Sequence, residues 1–241
     1  MKKGLSCLLG LLLAGSLCFC FLWACDPEYW WPVPDDNSES PYGTLIFTDD
    51  FEQYDNSEYP DTKGWYNLWS GSGEDDSFVV SGLSHSGTNS FNLNGLGSWI
   101  RADGLDLDLT EVEELTYQVA VMIPAGSATT AKMGFFEEID ANTNTAYNQV
   151  RLNPGTQTFS IVGETGVTSE SIWEYDTWYV IRVTVDYVNL LLDAWVDDTL
   201  EVEDLEAKAK DVSNIFFIAT RNYADSEAGS LYFDDVSIWT K

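Results

Sequence analysis

Beyond residue 43 the apolar positions recur at every second residue. Leu115, Tyr117, Val119, Val121 and Ile123 alternate with Thr116, Gln118, Ala120 and Met122. Tyr179, Ile181, Val183 and Val185 likewise alternate with Trp178, Arg182, Thr184 and Asp186. A period of two places alternate side chains on opposite faces of a strand, so both runs predict strands with one face toward a core and the other toward solvent or a cleft. Turn-forming clusters separate such runs: Ser70-Gly71-Ser72-Gly73, Asp103-Gly104, Asn142-Thr143-Asn144, Asn153-Pro154-Gly155 and Asp197-Asp198. The middle one predicts a hairpin between Met133–Ile139 and Tyr147–Leu152. Short strands joined by short turns predict an all-β antiparallel sandwich or barrel. Only Leu205–Lys210, with its small and charged residues, predicts a turn or two of helix. No repeat of twenty to fifty residues and no internal linker interrupts the pattern, so residues 43–241 read as one domain.

The first 24 residues depart from this period. Lys2 and Lys3 precede two apolar runs, Leu8–Leu13 and Leu17–Trp23, in the manner of a secretory signal; a transmembrane anchor is the competing reading. All four cysteines (Cys7, Cys18, Cys20 and Cys25) fall within the first 25 residues, leaving the body no disulfide and no thiolate chemistry. Leu22-Trp23-Ala24-Cys25 resembles a bacterial lipobox, with Trp23 where that pattern usually has a small or β-branched residue. The resemblance implies a signal peptide over 1–24 and acylation of Cys25, hence a membrane anchor without a spanning helix. Residues 25–42 then form an acidic tether carrying Pro27, Pro32, Pro34 and Pro41. Its Tyr29, Trp30 and Trp31 suit either the lipid headgroup layer or a fold-back onto the domain.

Composition narrows the function. Of 241 residues, 44% are hydrophobic and 14% aromatic, which excludes a disordered chain. Eleven Lys+Arg face 40 Asp+Glu, a net charge of −29, and loss of Lys2 and Lys3 would make the remainder more acidic still. Such a surface repels phosphate backbones and excludes nucleic-acid binding, while divalent cations and neutral ligands remain open.

Three segments resemble the concanavalin A-like lectin/glucanase superfamily, in the laminin-G-like jelly rolls of bacterial secreted proteins. They are the opening strand Leu45–Glu52, the meander Trp178–Asp186, Leu191–Val196 and Thr199-Leu200, and the closing strand Leu231–Ile238. The resemblance implies a two-sheet antiparallel jelly roll whose first and last strands are neighbours. A family-4-like carbohydrate-binding module is the nearest alternative topology. Pairing of the ends would bring Asp49, Asp50 and Glu52 toward Asp234 and Asp235. In related jelly rolls a structural calcium sits at this seam, and the matching positions here are Glu52 and Asp235. Ca²⁺ takes six to eight hard oxygen ligands, so Glu52, Asp235, Asp50 and Asp234 are the expected metal ligands. The alternative is that these acids splay into solvent and bind nothing.

A sugar face is the second expectation. Trp99 and Arg101 flank Ile100, and Tyr147, Gln149 and Arg151 alternate on the next candidate strand, so each set should share a strand face. Flat rings stack on pyranose C–H faces while Arg and Gln hydrogen-bond hydroxyls. Trp65, Trp69, Trp173 and Tyr223 could line the rim or fill the core. The glucanase signature of the superfamily, three acids alternating on one strand, is closest at Glu138-Ile139-Asp140, where Asn142, Thr143 and Asn144 stand in place of the last Glu. The single His85 lies in a Ser/Gly loop, and no nucleophile elbow or phosphate-cradling loop is present. The expected function is therefore a non-catalytic, lectin-like carbohydrate-binding domain on a surface-anchored bacterial lipoprotein, its partner a glycan or other extracellular polymer. An adhesive envelope protein that binds another protein is the alternative, and a glycoside hydrolase related to laminarinases the third reading.

Overall fold

A computed structural model describes residues 40–70, 77–95, 100–140, 143–210, 214–222 and 229–241, with the side chains of 69, 70, 95, 100, 137–140, 143–145 and 222 excepted. The signal segment, most of the tether and Cys25 lie outside the described residues. Two antiparallel sheets make up the body. The first contains eight strands in the order β13 (Thr199–Glu206), β12 (Leu191–Val196), β11 (Tyr179–Asp186), β6 (Glu114–Met122), β15 (Gly229–Thr240), β4 (Asn89–Gly95) and β3 (Ser77–Ser81), with β1 (Thr44–Asp49) also on β15. The second contains seven, in the order β10 (Gly166–Ile172), β9 (Thr158–Val162), β8 (Thr143–Asn153), β7 (Thr129–Asp140), β14 (Ile215–Asn222), β5 (Ile100–Asp106) and β2 (Tyr66–Ser70). The expected sandwich is thus the observed one. Among the described residues the only helical element is a single 3-10 turn at Asp61–Lys63, and no helix is long and apolar enough to cross a membrane.

The alternating residues explain the layering. Tyr117, Val119, Val121, Ile181, Val183, Phe91 and Phe233 from the first sheet meet Met133, Phe135, Val150, Leu152, Phe159 and Phe216 from the second in one buried cluster. Tyr117 also donates its hydroxyl across the layers to the Asn148 carbonyl at 3.0 Å. The hairpin of β7 and β8 forms as its sequence predicts, with Ala131 opposite Leu152 and Lys132 opposite Arg151. At the Asp197-Asp198 turn both residues take positive φ (46° and 64°), the conformation that matches a tight hairpin to the twist of β12 and β13.

Two expectations fail for physical reasons. Leu205 and Glu206 continue β13 rather than starting a helix, and Asn148 binds the Lys208 N–H and carbonyl at 2.8 Å each. These long-range hydrogen bonds override a weak local propensity. The second face of β6, expected toward solvent or a cleft, is buried as well: Thr116, Gln118, Ala120 and Met122 are all inaccessible or nearly so.

β1 lies against β15 from Thr44↔Thr240 to Asp49↔Val236, so the chain ends do meet. Each sheet also carries a bulge. In β15 the register against β6 shifts between Asp234 and Ser237, with Asp235 at φ 47°. In the second sheet it shifts between Met133 and Phe135, where Gly134 (φ 151°) faces Asn148 (φ 45°). A bulge reverses which residues face inward beyond it, and both candidate sites lie at one.

Candidate functional site: an outer sheet face and an acidic seam

The bulge in β8 divides the predicted sugar-binding strand. Tyr147 turns into the core and stacks on Phe135, centroids 6.4 Å apart, whereas Gln149 and Arg151 take the opposite side from Val150 and Leu152. Strict alternation from Tyr147 to Arg151 is therefore corrected, because one added residue at Asn148 changes the phase. Arg101 is corrected as well. It points between the sheets, where its Nε donates to Ser77 Oγ at 2.6 Å and its guanidinium pairs with Asp103 at 3.1 Å. Tyr59 and Ser77 donate to the same carboxylate at 2.8 Å each, and burial raises the Asp103 pKa against the pull of Arg101. This is a buried ion pair that ties β3 to β5, closed to a ligand. Trp65 and Trp173 are core residues, 2% and 1% exposed. Trp99 and Tyr223 lie outside the described residues, as do the side chains of Trp69 and of Glu138 and Asp140.

The outer face of the seven-stranded sheet carries a set that the sequence reading missed. Lys132 stands opposite Arg151 on β8 and Ala219 on β14, and Arg221 stands opposite Thr130. Lys132 is only 8% exposed, and burial, followed by the charges of Arg151 and Arg221, pushes its ammonium pKa down to about 8. The signal available in the sequence was the rarity of cations in so acidic a chain, but only the register brings these three together. Gln149 is fully buried beside them; its amide donates to the Ala146 carbonyl and its Oε1 meets no hydrogen-bond partner among the described residues. An open groove of about 1020 Å³ adjoins them, lined by Thr130, Asn153, Thr156, Thr158, Thr168 and Tyr175. Thr130 faces Arg221, and Asn153 follows Arg151 by two residues on the same strand face, so groove and cations form one strip. Chemically the strip offers hydroxyls, an amide, a ring and positive charge.

The acidic seam sits at the other bulge, on the eight-stranded sheet. Glu52, Asp234 and Asp235 come together around the loop 84–89, whereas Asp49 and Asp50 do not join them. Asp49 turns inward to accept from Trp65 Nε1 at 3.0 Å, and Asp50 is exposed and accepts from the Glu52 N–H. Glu52 accepts from the N–H groups of Thr88 and Asn89 (2.7 and 2.6 Å) and from the Thr88 hydroxyl. Burial opposes its ionisation, but those donors outweigh it and hold its pKa below the usual range. Asp234 is fully buried and accepts from the His85 and Ser86 N–H groups, yet burial and then the charge of Asp235 push its pKa up to about 8. Asp235 meets His85 Nδ1 at 2.6 Å and Ser86 Oγ at 2.7 Å. His85, exposed on its Ser/Gly loop, thus clasps the last strand. The oxygens are the hard donors that calcium prefers, but each carboxylate already holds loop donors, and a cation would have to displace some of them. Among the described residues no group of three or more metal-ligating side chains is arranged around a common centre.

No family model matches the chain, and no curated protein matches it in sequence. Among solved structures it is similar to the catalytic domain of the glycoside hydrolase family 131 protein from Coprinopsis cinerea, at TM-score 0.60 and 14% identity, covering 83% of this chain and 95% of that one. It is also similar to alginate lyase Aly36B, solved with an alginate trisaccharide, at TM-score 0.56 and 10% identity, covering 82% and 99%. Against a sialidase the TM-score is 0.55 at 10% identity, and the match spans 75% of this chain but only 17% of that one. At these identities the likeness establishes the fold alone, a two-sheet antiparallel jelly-roll sandwich.

Proposed function

We propose that this is a non-catalytic, lectin-like carbohydrate-binding domain, displayed outside the cytoplasm by a lipid anchor at Cys25. The observation that carries the reading is the strip on the outer face of the seven-stranded sheet. There a groove lined by Thr130, Asn153, Thr158 and Tyr175 runs into Gln149 and Arg151, the polar and aromatic mixture that a glycan site requires. The structural neighbours support it at the level of fold, since one is the catalytic domain of a glycoside hydrolase and another an alginate lyase solved with an alginate trisaccharide. A glycan array probed with the wild-type domain and with Asn153→Ala and Tyr175→Ala tests it. Selective binding lost in both variants is expected. Silence on every glycan together with capture of an envelope protein would replace it with the adhesive reading, and shortening of a bound polysaccharide during incubation would make the domain an enzyme.

The anchor rests on Leu22-Trp23-Ala24-Cys25 alone. Cys25→Ala should release the protein from the membrane fraction if acylation holds it there. A structural Ca²⁺ at the seam completes the proposal, with Glu52, Asp234 and Asp235 as ligands. Its support is electrostatic: the charge of Asp235 opposes ionisation of Asp234, after burial, and more weakly that of Glu52, and a divalent cation would relieve that repulsion. Its role would be to fix the chain ends.

A further inference from the structure

We infer that the outer face of the seven-stranded sheet is built for an acidic glycan, with Lys132, Arg151 and Arg221 holding its carboxylate or sulfate groups. The inference rests on the carbohydrate reading above and names the class of sugar.

The chain has eleven basic residues against 40 acids, so a cation here has a large choice of acidic partners. Several described cations take one: Arg101 pairs with Asp103, Arg182 with Asp198, Lys208 with Glu164 and Lys241 with Glu114, while Lys63 and Lys210 bind backbone carbonyls. Lys132 does the reverse. It sits on β7 between Arg151 on β8 and Arg221 on β14, 8% exposed, and among the described residues no hydrogen bond or ion pair reaches its ammonium. Burying a cation beside two others is costly in folding, and an anion between them would offset that cost. Adjacent strands lie about 4.8 Å apart, so three cations on three neighbouring strands span about 10 Å, wide enough for successive acidic groups along a chain. The groove beside them supplies threonine hydroxyls, Asn153 and the Tyr175 ring, which suit sugar hydroxyls and C–H faces rather than a bare ion. The acid-rich remainder of the surface does not prevent this, because physiological salt screens charges beyond about 8 Å and leaves contact to the local cluster.

The test is titration calorimetry in the presence of chelator. The probes are an alginate hexasaccharide, its carboxyl-reduced neutral counterpart, a sulfated oligosaccharide of similar length and a neutral β-glucan oligosaccharide. At least one acidic probe should bind, and whichever of the carboxylated and sulfated arms is tighter identifies the anion. Carboxyl reduction should weaken binding about tenfold or more, and Lys132→Met should weaken acidic binding by a similar factor. The melting temperature of Lys132→Met, measured alongside, separates loss of affinity from loss of fold. Equal binding of acidic and neutral sugars, indifferent to Lys132→Met, would overturn this inference and leave the carbohydrate reading standing. Failure of all four probes, together with silence on the array, would remove both.

Discussion

Replacing Lys132 by Met should make the folded protein more stable. The substitution keeps the length and apolar stem of the side chain and removes only the ammonium. In the folded state that ammonium titrates near 8 instead of 10.5, because it is buried and faces Arg151 and Arg221. Each pH unit between the two values corresponds to about 1.4 kcal/mol, so the charge costs the fold about 3 kcal/mol at pH 7. Partial relaxation in the real molecule makes this an upper bound. The sign follows from proton binding. Between about pH 8 and pH 10.5 the folded state holds fewer protons than the unfolded chain, so wild-type stability rises with pH across that window. The variant has no such group, and its lead should shrink from neutral pH to about pH 10. For a domain of this size 1 kcal/mol moves Tm by about 2–4 °C, so a gain of several degrees at pH 7 is expected. Thermal unfolding of both proteins between pH 7 and pH 10, at one salt concentration, measures it. A lower Tm for Lys132→Met at pH 7, or a difference that does not change with pH, would refute the claim that an uncompensated charge is buried there.

Three further outcomes are expected. Asp103→Ala should destabilise the domain by about 3 kcal/mol or more, read as a lower urea midpoint, because Arg101, Tyr59 and Ser77 all converge on that carboxylate in the interior. Gly134→Ala should cost about 1–3 kcal/mol in the same assay, since a Cβ there would lie 2.5 Å from Gln149 Cβ and 2.8 Å from the Asn148 carbonyl oxygen across the bulge. If calcium binds the seam, Tm should climb with millimolar Ca²⁺ and the climb should vanish in Glu52→Gln; an unchanged Tm in wild type would remove the metal.

The all-β layers and the hairpin of β7 and β8 were legible because they follow from period two and from turn chemistry, whereas the pairing of the first and last strands came from the jelly-roll resemblance. The phase break that builds the seam has a mark in the chain that the reading of the closing strand did not use: Leu231 and Phe233 occupy odd positions and Val236 and Ile238 even ones. The bulge in β8 left no comparable mark. Tyr147, Gln149 and Arg151 keep perfect alternation on paper, and only Gly134 across the ladder and the left-handed Asn148 show that Tyr147 belongs to the core. Arg101 misled for another reason. An arginine beside an aromatic has the chemistry of a sugar contact, and nothing in the chain announces that Asp103, two residues on, and Ser77, from another strand, will enclose it. Lys132 and Arg221 were passed over because each is unremarkable alone; their meaning is relational, set by which strands become neighbours.

That relation also explains why the two sheets divide the work. β15 pairs with β1, β4 and β6, and the bulge on it draws Asp234 and Asp235 onto the His85 loop, so the eight-stranded sheet uses its irregularity to close the chain upon itself. The seven-stranded sheet uses its bulge differently. By turning Tyr147 inward it frees the outer side of β8 for Gln149 and Arg151, next to Lys132 on β7 and Arg221 on β14. Stability alone would not bury the Lys132 ammonium between Arg151 and Arg221, because an uncharged side chain there would cost less to fold. An arrangement that weakens the folded state at one face, in a chain with acids to spare, is best explained by what that face holds when occupied. Stability and affinity at Lys132 should therefore move in opposite directions, a pairing that a purely structural lysine would not produce.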